Sequence, residues 1–380
     1  MAAHHCYGTG AQSRRDWLSK EARAELEGVV RAIGVAGKGI SACDESGRTI
    51  NPRFEAVGVA PTAELRRAYR ECLFRAPGAA DYLTAVILDP ETVGQKADDG
   101  TPFPALLASL GLLPGVKPSL TVKVLPGTSG ETWMQGLDSL GDRLQGYRAA
   151  GCVFAKWRSP LTIDVAAGTP SALAIEANCR DLARYALVCQ AARVVPIIEP
   201  DLVLKGAHSL ENAVEANARV NAALFRACGD HGVYLEGCIL KTNLVNAGPT
   251  QSPKPAPEAV ADANLRMLRR AVPVAVNTIN YLSGGQSLED AAARLDAINR
   301  VKKERGGDRY APWNLSFSWS ACIQLPLFQL CKTEKADGSG LPRAAIQKLY
   351  VANLRTASLA SLGKLEDDGA PPKKKSRAAL

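Results

Sequence analysis

Gly151-Cys-Val-Phe-Ala-Lys156 is a short apolar run closed by a lysine, and the pattern recurs in Tyr234-Leu-Glu-Gly-Cys-Ile-Leu-Lys241 and in Gly115-Val-Lys117. Such a run predicts a buried strand that carries an ammonium to its end. Desolvation and a second cation nearby both lower the proton affinity of a lysine so placed. A lysine in that state is a nucleophile.

Working outward, apolar runs bounded by turn residues predict eight strands. They are Gly39 to Cys43, Leu83 to Leu88, Val116 with its neighbours, Cys152 to Trp157, Val194 to Glu199, Tyr234 to Lys241, Val274 to Ser283 and Leu315 to Ser318. Helical spacing separates them: Leu65, Ala68, Tyr69, Cys72 and Leu73; Leu182, Tyr185, Ala186 and Cys189; Val260, Ala263, Met267 and Ala271. Ser287-Leu-Glu-Asp290 reads as a capping box ahead of Ala291, Leu295 and Ile298. Eight alternations in which the strands are apolar on both faces predict an α/β fold, a single-domain (β/α)8 TIM barrel. An open doubly wound sheet would want a glycine-rich phosphate turn after its first strand, and Asp44-Glu-Ser-Gly-Arg48 lacks that spacing. Asp44, Lys117, Lys156, Glu199, Lys241, Ser283 and Ser318 all fall at or just past strand ends, the mouth of such a barrel.

Three segments are expected: a helical extension over residues 1–30, the barrel with a C-terminal helix over 31–362, and a flexible basic tail over 363–380. Trp17 to Val30 reads as an amphipathic helix. Ten cysteines lie mostly inside apolar patterns without paired metal spacing, which predicts small core residues in a reducing compartment. No stretch is long and apolar enough for a membrane span, and the first thirty residues lack a signal-peptide core, so a cytoplasmic location is expected with no membrane partner. The net charge is +8, and the densest basic run, Pro371-Pro-Lys-Lys-Lys-Ser-Arg377, is a solvated extension by pattern. Elsewhere the basic residues are dispersed without interleaved aromatics, so no nucleic-acid partner is expected.

Read in order, a longer set of strings is distinctive: Gly37-Lys-Gly-Ile40 with Asp44-Glu-Ser46, Gln95-Lys-Ala-Asp-Asp-Gly100, Gly127-Thr-Ser-Gly-Glu-Thr132, Phe154-Ala-Lys-Trp-Arg158, Val195-Pro-Ile-Ile-Glu-Pro200, Leu240-Lys241 and Leu282-Ser-Gly-Gly-Gln-Ser287. From about Gly37 to about Gly363 the chain resembles the class I, Schiff-base fructose-bisphosphate aldolases. The resemblance implies a cytoplasmic lyase of glycolysis and gluconeogenesis, a homotetramer by default, with neither metal nor other cofactor. It cleaves fructose 1,6-bisphosphate reversibly to dihydroxyacetone phosphate and glyceraldehyde 3-phosphate. Lys241 would form the imine, Glu199 would shuttle protons with an affinity near neutrality, Asp44 would take the hydroxyl proton beside the breaking bond, and Lys156 would keep Lys241 neutral. Asp201 is the second carboxylate of the fifth strand, one methylene shorter than the family's. Singly, Asp44 reads equally as a helix cap, Glu199 as a surface carboxylate and the lysines as snorkelling structural residues; their joint placement favours chemistry.

For phosphate, the resemblance implies Ser283, Gly284, Gly285 and Ser318 around one group, and Lys117, Arg158, Ser46 and Thr49 around the other. Departures follow. A glycine and an arginine expected after the eighth strand are Ser320 and Ala321, and a lost guanidinium contact costs on the order of 2 to 4 kcal/mol. Pro52 stands for a lysine, Thr242 for a proline, and the C-terminal tyrosine is replaced by an end at Leu380. Slower turnover is expected. The alternative is a divergent aldolase-like protein that acts on a monophosphate sugar such as fructose 1-phosphate, or serves as a binding or scaffold protein. Lys302-Lys-Glu-Arg-Gly-Gly-Asp-Arg309 is expected as a surface loop.

Overall fold

Eight parallel strands close on themselves in the computed structural model, which describes residues 17–333 and 341–368. In chain order the strands are β1 (Gly39–Cys43), β2 (Leu83–Leu88), β3 (Leu113–Val116), β4 (Val122–Val124), β5 (Thr132–Met134), β6 (Phe154–Ile163), β7 (Val195–Leu204), β8 (Ile239–Asn243), β9 (Thr278–Leu282) and β10 (Asn314–Trp319). The barrel runs β1-β2-β3-β6-β7-β8-β9-β10 and returns to β1. β4 and β5 form a separate antiparallel hairpin. The predicted (β/α)8 barrel is therefore the fold.

Differences from the expected spans have physical reasons. β6 and β7 run ten residues each and pair throughout, from Phe154 with Val195 to Ile163 with Leu204. Lys156 and Glu199 thus lie inside long strands and not at their ends. Tyr234 begins no strand: Leu235–Gly237 is a single 3-10 turn, and β8 starts at Ile239. Val274 is exposed and precedes β9, which starts at Thr278. Lys302 to Glu304 complete the helix Leu288–Glu304, and the Lys302 ammonium is buried on the Trp313 carbonyl at 2.6 Å and paired with Asp308 at 2.8 Å. The expected surface loop is reduced to the turn that follows.

Period-two alternation sorts each barrel strand into an inner and an outer set. Ile40, Ala42, Ala85, Ile87, Phe154, Val195, Ile197 and Ile239 face inward as one apolar cluster. Cys43, Val86, Ala155, Trp157, Ile198 and Leu240 face outward into the larger core shared with the helices. Phe154 needs room inside the barrel, and Gly115 provides it: a Cβ there would lie 2.3 Å from the Phe154 ring.

The inner cluster is closed at its base by the helix Lys20–Ile33, which packs Leu26, Val30 and Ile33 against it. Ser19 caps this helix by accepting from the Ala22 amide at 3.2 Å. Each such apolar side chain, fully buried, contributes about 1.5 to 3 kcal/mol. The helix expected at Trp17 to Val30 thus runs three residues later and serves as a plug. At the other terminus, Leu365–Asp368 form a short turn whose Leu365 amide donates to Asp296 at 2.8 Å. The rest of the basic tail lies outside the described residues, as does the chain end.

The helix Leu288–Glu304 begins where predicted, with Ser287 accepting from the Asp290 amide at 3.1 Å. A reciprocal capping box occurs instead at Ser209 and Asn212, at the head of the helix Leu210–His231. Of the nine described cysteines, all free, eight are buried and Cys331 is half-buried.

Candidate active site

One pleat step above the inner apolar cluster, the residue type changes. Ala42 is followed on the same face by Asp44, Ile87 by Asp89, Phe154 by Lys156, Ile197 by Glu199 and Ile239 by Lys241. In the β6–β7 ladder Lys156 stands opposite Ile197 and Glu199 opposite Arg158, so the groups do not share one row of the register; the stagger of the barrel strands brings them together at the mouth. They line a single cavity of about 1000 Å³, together with Ser46, Thr49, Lys117, Arg158, Asp201, Ser283, Gly284, Gly285 and Ser318. Every site residue expected from the sequence is therefore in one place.

At the floor of the cavity, the Lys156 ammonium lies 2.8 Å from Asp44 Oδ2 and 3.2 Å from Glu199 Oε2. Lys241 Nζ lies 3.4 Å from Glu199 Oε1. All four residues are at most 8% exposed, which rules out a snorkelling role for either lysine and a surface role for Glu199. Asp44 is not a helix cap either, since Ser46 holds the N-cap position of the helix Gly47–Glu55.

Burial disfavours every charge here, so neighbours decide each proton affinity. For Lys241, burial comes first, and the adjacent Lys156 ammonium adds to it; the Glu199 carboxylate only partly opposes them, and the amine is held below the ordinary lysine range. For Lys156, burial is outweighed by Asp44 and Glu199, and its ammonium is held well above that range. Burial pushes Asp44 up, but Lys156, Lys117 and Lys241 overcome it and hold its carboxyl well below the usual carboxylate range.

Glu199 departs from expectation. Burial raises it, Lys156, Lys241 and Arg158 lower it further, and the outcome is a depressed carboxyl instead of one near neutrality. Three cations around one carboxylate are the cause. Asp201 behaves oppositely: burial pushes it up, and its 2.7 Å pair with Arg158 does not fully offset that.

Around the rim, Lys117 pairs with Asp89 at 3.3 Å and donates to the Asp44 carbonyl. Ser283 is followed by Gly284 at φ 57° and Gly285 at φ 79°, a left-handed pair on the cavity wall that side chains would strain. Ser318 Oγ is buried with no hydrogen-bond partner among the described residues. Ser46 and Thr49 sit at the first turn of the helix Gly47–Glu55, and the Ser46 hydroxyl makes no capping bond. Ser320 and Ala321 both line the cavity, and the Ser320 hydroxyl donates to Glu45.

Among the charged lining residues, Asp89, Glu45 and Arg48 escaped the sequence reading. Asp89 stands one residue past β2 and obeys the same strand-end rule as Asp44, so the signal was present. Glu45 pairs with Arg53 and with the buried Arg70, each at 2.9 Å, and Arg48 lines the mouth. No apolar run marks either of these.

A buried amine of lowered proton affinity, a carboxylate in reach of it and a cationic rim suit attack on the carbonyl of a phosphorylated sugar. Known proteins agree. The family model of class-I fructose-bisphosphate aldolase matches residues 25–379. "Fructose-bisphosphate aldolase 6, cytosolic" of Arabidopsis thaliana is 44% identical over 88% of this chain and 90% of its own length. A fructose-bisphosphate aldolase of Drosophila melanogaster is 42% identical over 91% of this chain and 97% of its own. Among solved structures, fructose-bisphosphate aldolase from Plasmodium falciparum, in complex with TRAP and a small-molecule inhibitor, superposes with a TM-score of 0.86 at 36% identity, covering 91% of this chain and 96% of that one. A barrel with this mouth, and relatives this close over nearly its whole length, place the chain in the class-I fructose-bisphosphate aldolase family.

Proposed function

We propose that Lys241 is the amine that forms the covalent imine in this lyase. The observation that carries the assignment is its burial beside Lys156 and 3.4 Å from Glu199, which lowers its proton affinity and gives it a proton acceptor. The neutral amine attacks the ketone carbon of fructose 1,6-bisphosphate, and Glu199 accepts the amine proton. Glu199 passes that proton to the former ketone oxygen, giving a neutral carbinolamine, and a second proton, taken up from solvent, lets the hydroxyl depart as water and leaves a protonated imine. An ionised Glu199 suits this order, base first and acid second.

Asp44, also ionised, removes the proton of the hydroxyl next to the breaking bond. The bonding pair of that carbon-carbon bond moves into the imine, giving an enamine and releasing glyceraldehyde 3-phosphate. Protonation of the enamine carbon and hydrolysis free dihydroxyacetone phosphate and return Lys241. Lys156 binds Asp44 and Glu199 and keeps both ionised. Ser283 and the amides of Gly284 and Gly285 take the phosphate nearest Lys241; Ser46, Thr49, Lys117 and Arg158 take the distal one, with Asp201 orienting Arg158.

Borohydride reduction in the presence of dihydroxyacetone phosphate tests the assignment: the expected product is one stable adduct on Lys241, and its absence at saturating sugar phosphate refutes it. Ala321 favours a second reading, an aldolase-like chain with weakened phosphate binding near Ser283, because no guanidinium stands at that position of the cavity. Weak cleavage of both the bisphosphate and fructose 1-phosphate supports that reading. Similarity to cytosolic relatives supports a cytoplasmic location, and membership of the family makes a homo-oligomer, the usual tetramer, the expectation.

A further inference from the structure

Six cationic side chains line the cavity, and five carboxylates line it with them. Five of the cations are already matched: Arg53 with Glu45, Lys117 with Asp89, Lys156 with Asp44, Arg158 with Asp201 and Lys241 with Glu199, none farther apart than 3.4 Å. Arg48 is the exception. It sits on the first turn of the helix Gly47–Glu55 and has neither hydrogen bond nor ion pair among the described residues.

A phosphate dianion that approaches the distal end of the site thus meets rim cations whose charge is locally cancelled. To use Lys117 or Arg158 it must share them with Asp89 or Asp201, and the retained carboxylate repels it. An unmatched guanidinium has no such competitor, and its fork fits two phosphate oxygens at once. Pro52, the next position on the same helix face, carries no charge.

We infer that Arg48 is a specificity-determining residue that binds the distal phosphate of the bisphosphate and selects it over sugars phosphorylated only near Lys241. This rests on the reading of the site as an imine-forming aldolase centre with a distal phosphate locus. Arg48 is exposed, so it reaches outward to the incoming ligand and supplies attraction before the rim pairs rearrange.

The full chain and its Arg48→Ala and Arg48→Lys variants are titrated calorimetrically with hexitol 1,6-bisphosphate, which has no carbonyl to react with Lys241. In parallel, borohydride traps dihydroxyacetone phosphate, whose phosphate occupies only the locus near Lys241. Expected are a loss of affinity of about tenfold for the bisphosphate in Arg48→Ala, recovery of most of it in Arg48→Lys, and trapping at parental efficiency in both. Unchanged bisphosphate affinity overturns the inference, and so does a parallel fall in trapping, which would mark a general disturbance of the mouth. Absence of any adduct in the parent chain refutes the imine reading instead, and the calorimetric comparison still decides the role of Arg48.

Discussion

Lys156 Nζ lies 2.8 Å from Asp44 Oδ2, and both side chains are buried in the barrel mouth. The same ammonium reaches Glu199, so one cation holds two carboxylates in their charged form. Lys156→Met removes that counter-charge without changing the side chain's bulk greatly. Glu199 is then left to Lys241 and Arg158, and its pairing with Lys241 favours the ammonium over the amine. The expected outcome is a kcat lower by about 100-fold, within the usual range for a lost proton-transfer arrangement. Stability falls by about 3 to 5 kcal/mol because two buried carboxylates lose a partner. Steady-state cleavage and urea unfolding measure the two effects; parental kcat with only the stability loss would restrict Lys156 to a structural role.

Acid should unfold this site in a defined window. Asp44 is held below its ordinary value of 3.8, so its contribution to stability is fully present above that pH and is lost as pH falls through the lower folded value. Glu199 has the same sign. Asp201, raised by burial, has the opposite one and opposes the trend. The stability difference between the parent chain and Asp44→Asn should therefore be constant from pH 7 to about 5 and shrink below about 4. Urea midpoints across that range provide the check, and a difference that does not shrink at all between about pH 4 and pH 2 contradicts the charge assignment.

Ala321 opens the helix Ala321–Thr333 on the cavity wall beside Ser320 and Ser283. Restoring a guanidinium with Ala321→Arg should lower KM about tenfold for the bisphosphate and also for fructose 1-phosphate, because both present a phosphate to the Gly284 and Gly285 amides. An unchanged KM for both sugars would show that this locus does not lack a cation.

The plug gives a prediction away from the chemistry. Leu26 is 1% exposed against the inner cluster, and Leu26→Ala should cost about 2 to 5 kcal/mol of unfolding free energy. The catalytic groups stand at the opposite end of the barrel, so kcat should stay at the parental value. A loss of kcat with unchanged stability would show that the base and the mouth are coupled.

Most of the site was legible because Lys156, Glu199, Lys241 and Asp44 each follow an apolar inward residue by one pleat period. Asp89 follows the same rule, but with Pro90 after it the residue also has the pattern of a helix cap, a role it fills by accepting from the Glu91 amide at 3.1 Å. Other features left no such trace. The hairpin β4 and β5 has three-residue strands with Val122 and Val124 exposed, so no buried alternation announces it. Pro160 and Pro200 read as strand ends, yet Pro160 pairs in register with Asp201, and Pro200 with Ser159, in the middle of a continuous ladder. Asn212 completes a capping box in a position where glutamate or glutamine is the usual signal. The proton affinity of Glu199 depends on three cations from two strands, which no local pattern encodes.

Alternation inside the barrel ties reactivity to folding fidelity. Were β6 to slip by one residue against its neighbours, Trp157 would fill the lumen and Lys156 would be thrust among the surrounding helices without Asp44 or Glu199 to meet it. A misregistered barrel would carry naked charge in oil as well as an inert mouth. The ammonium that makes the site reactive is thus also a proofreader, and chains that survive as folded protein are those already assembled to react.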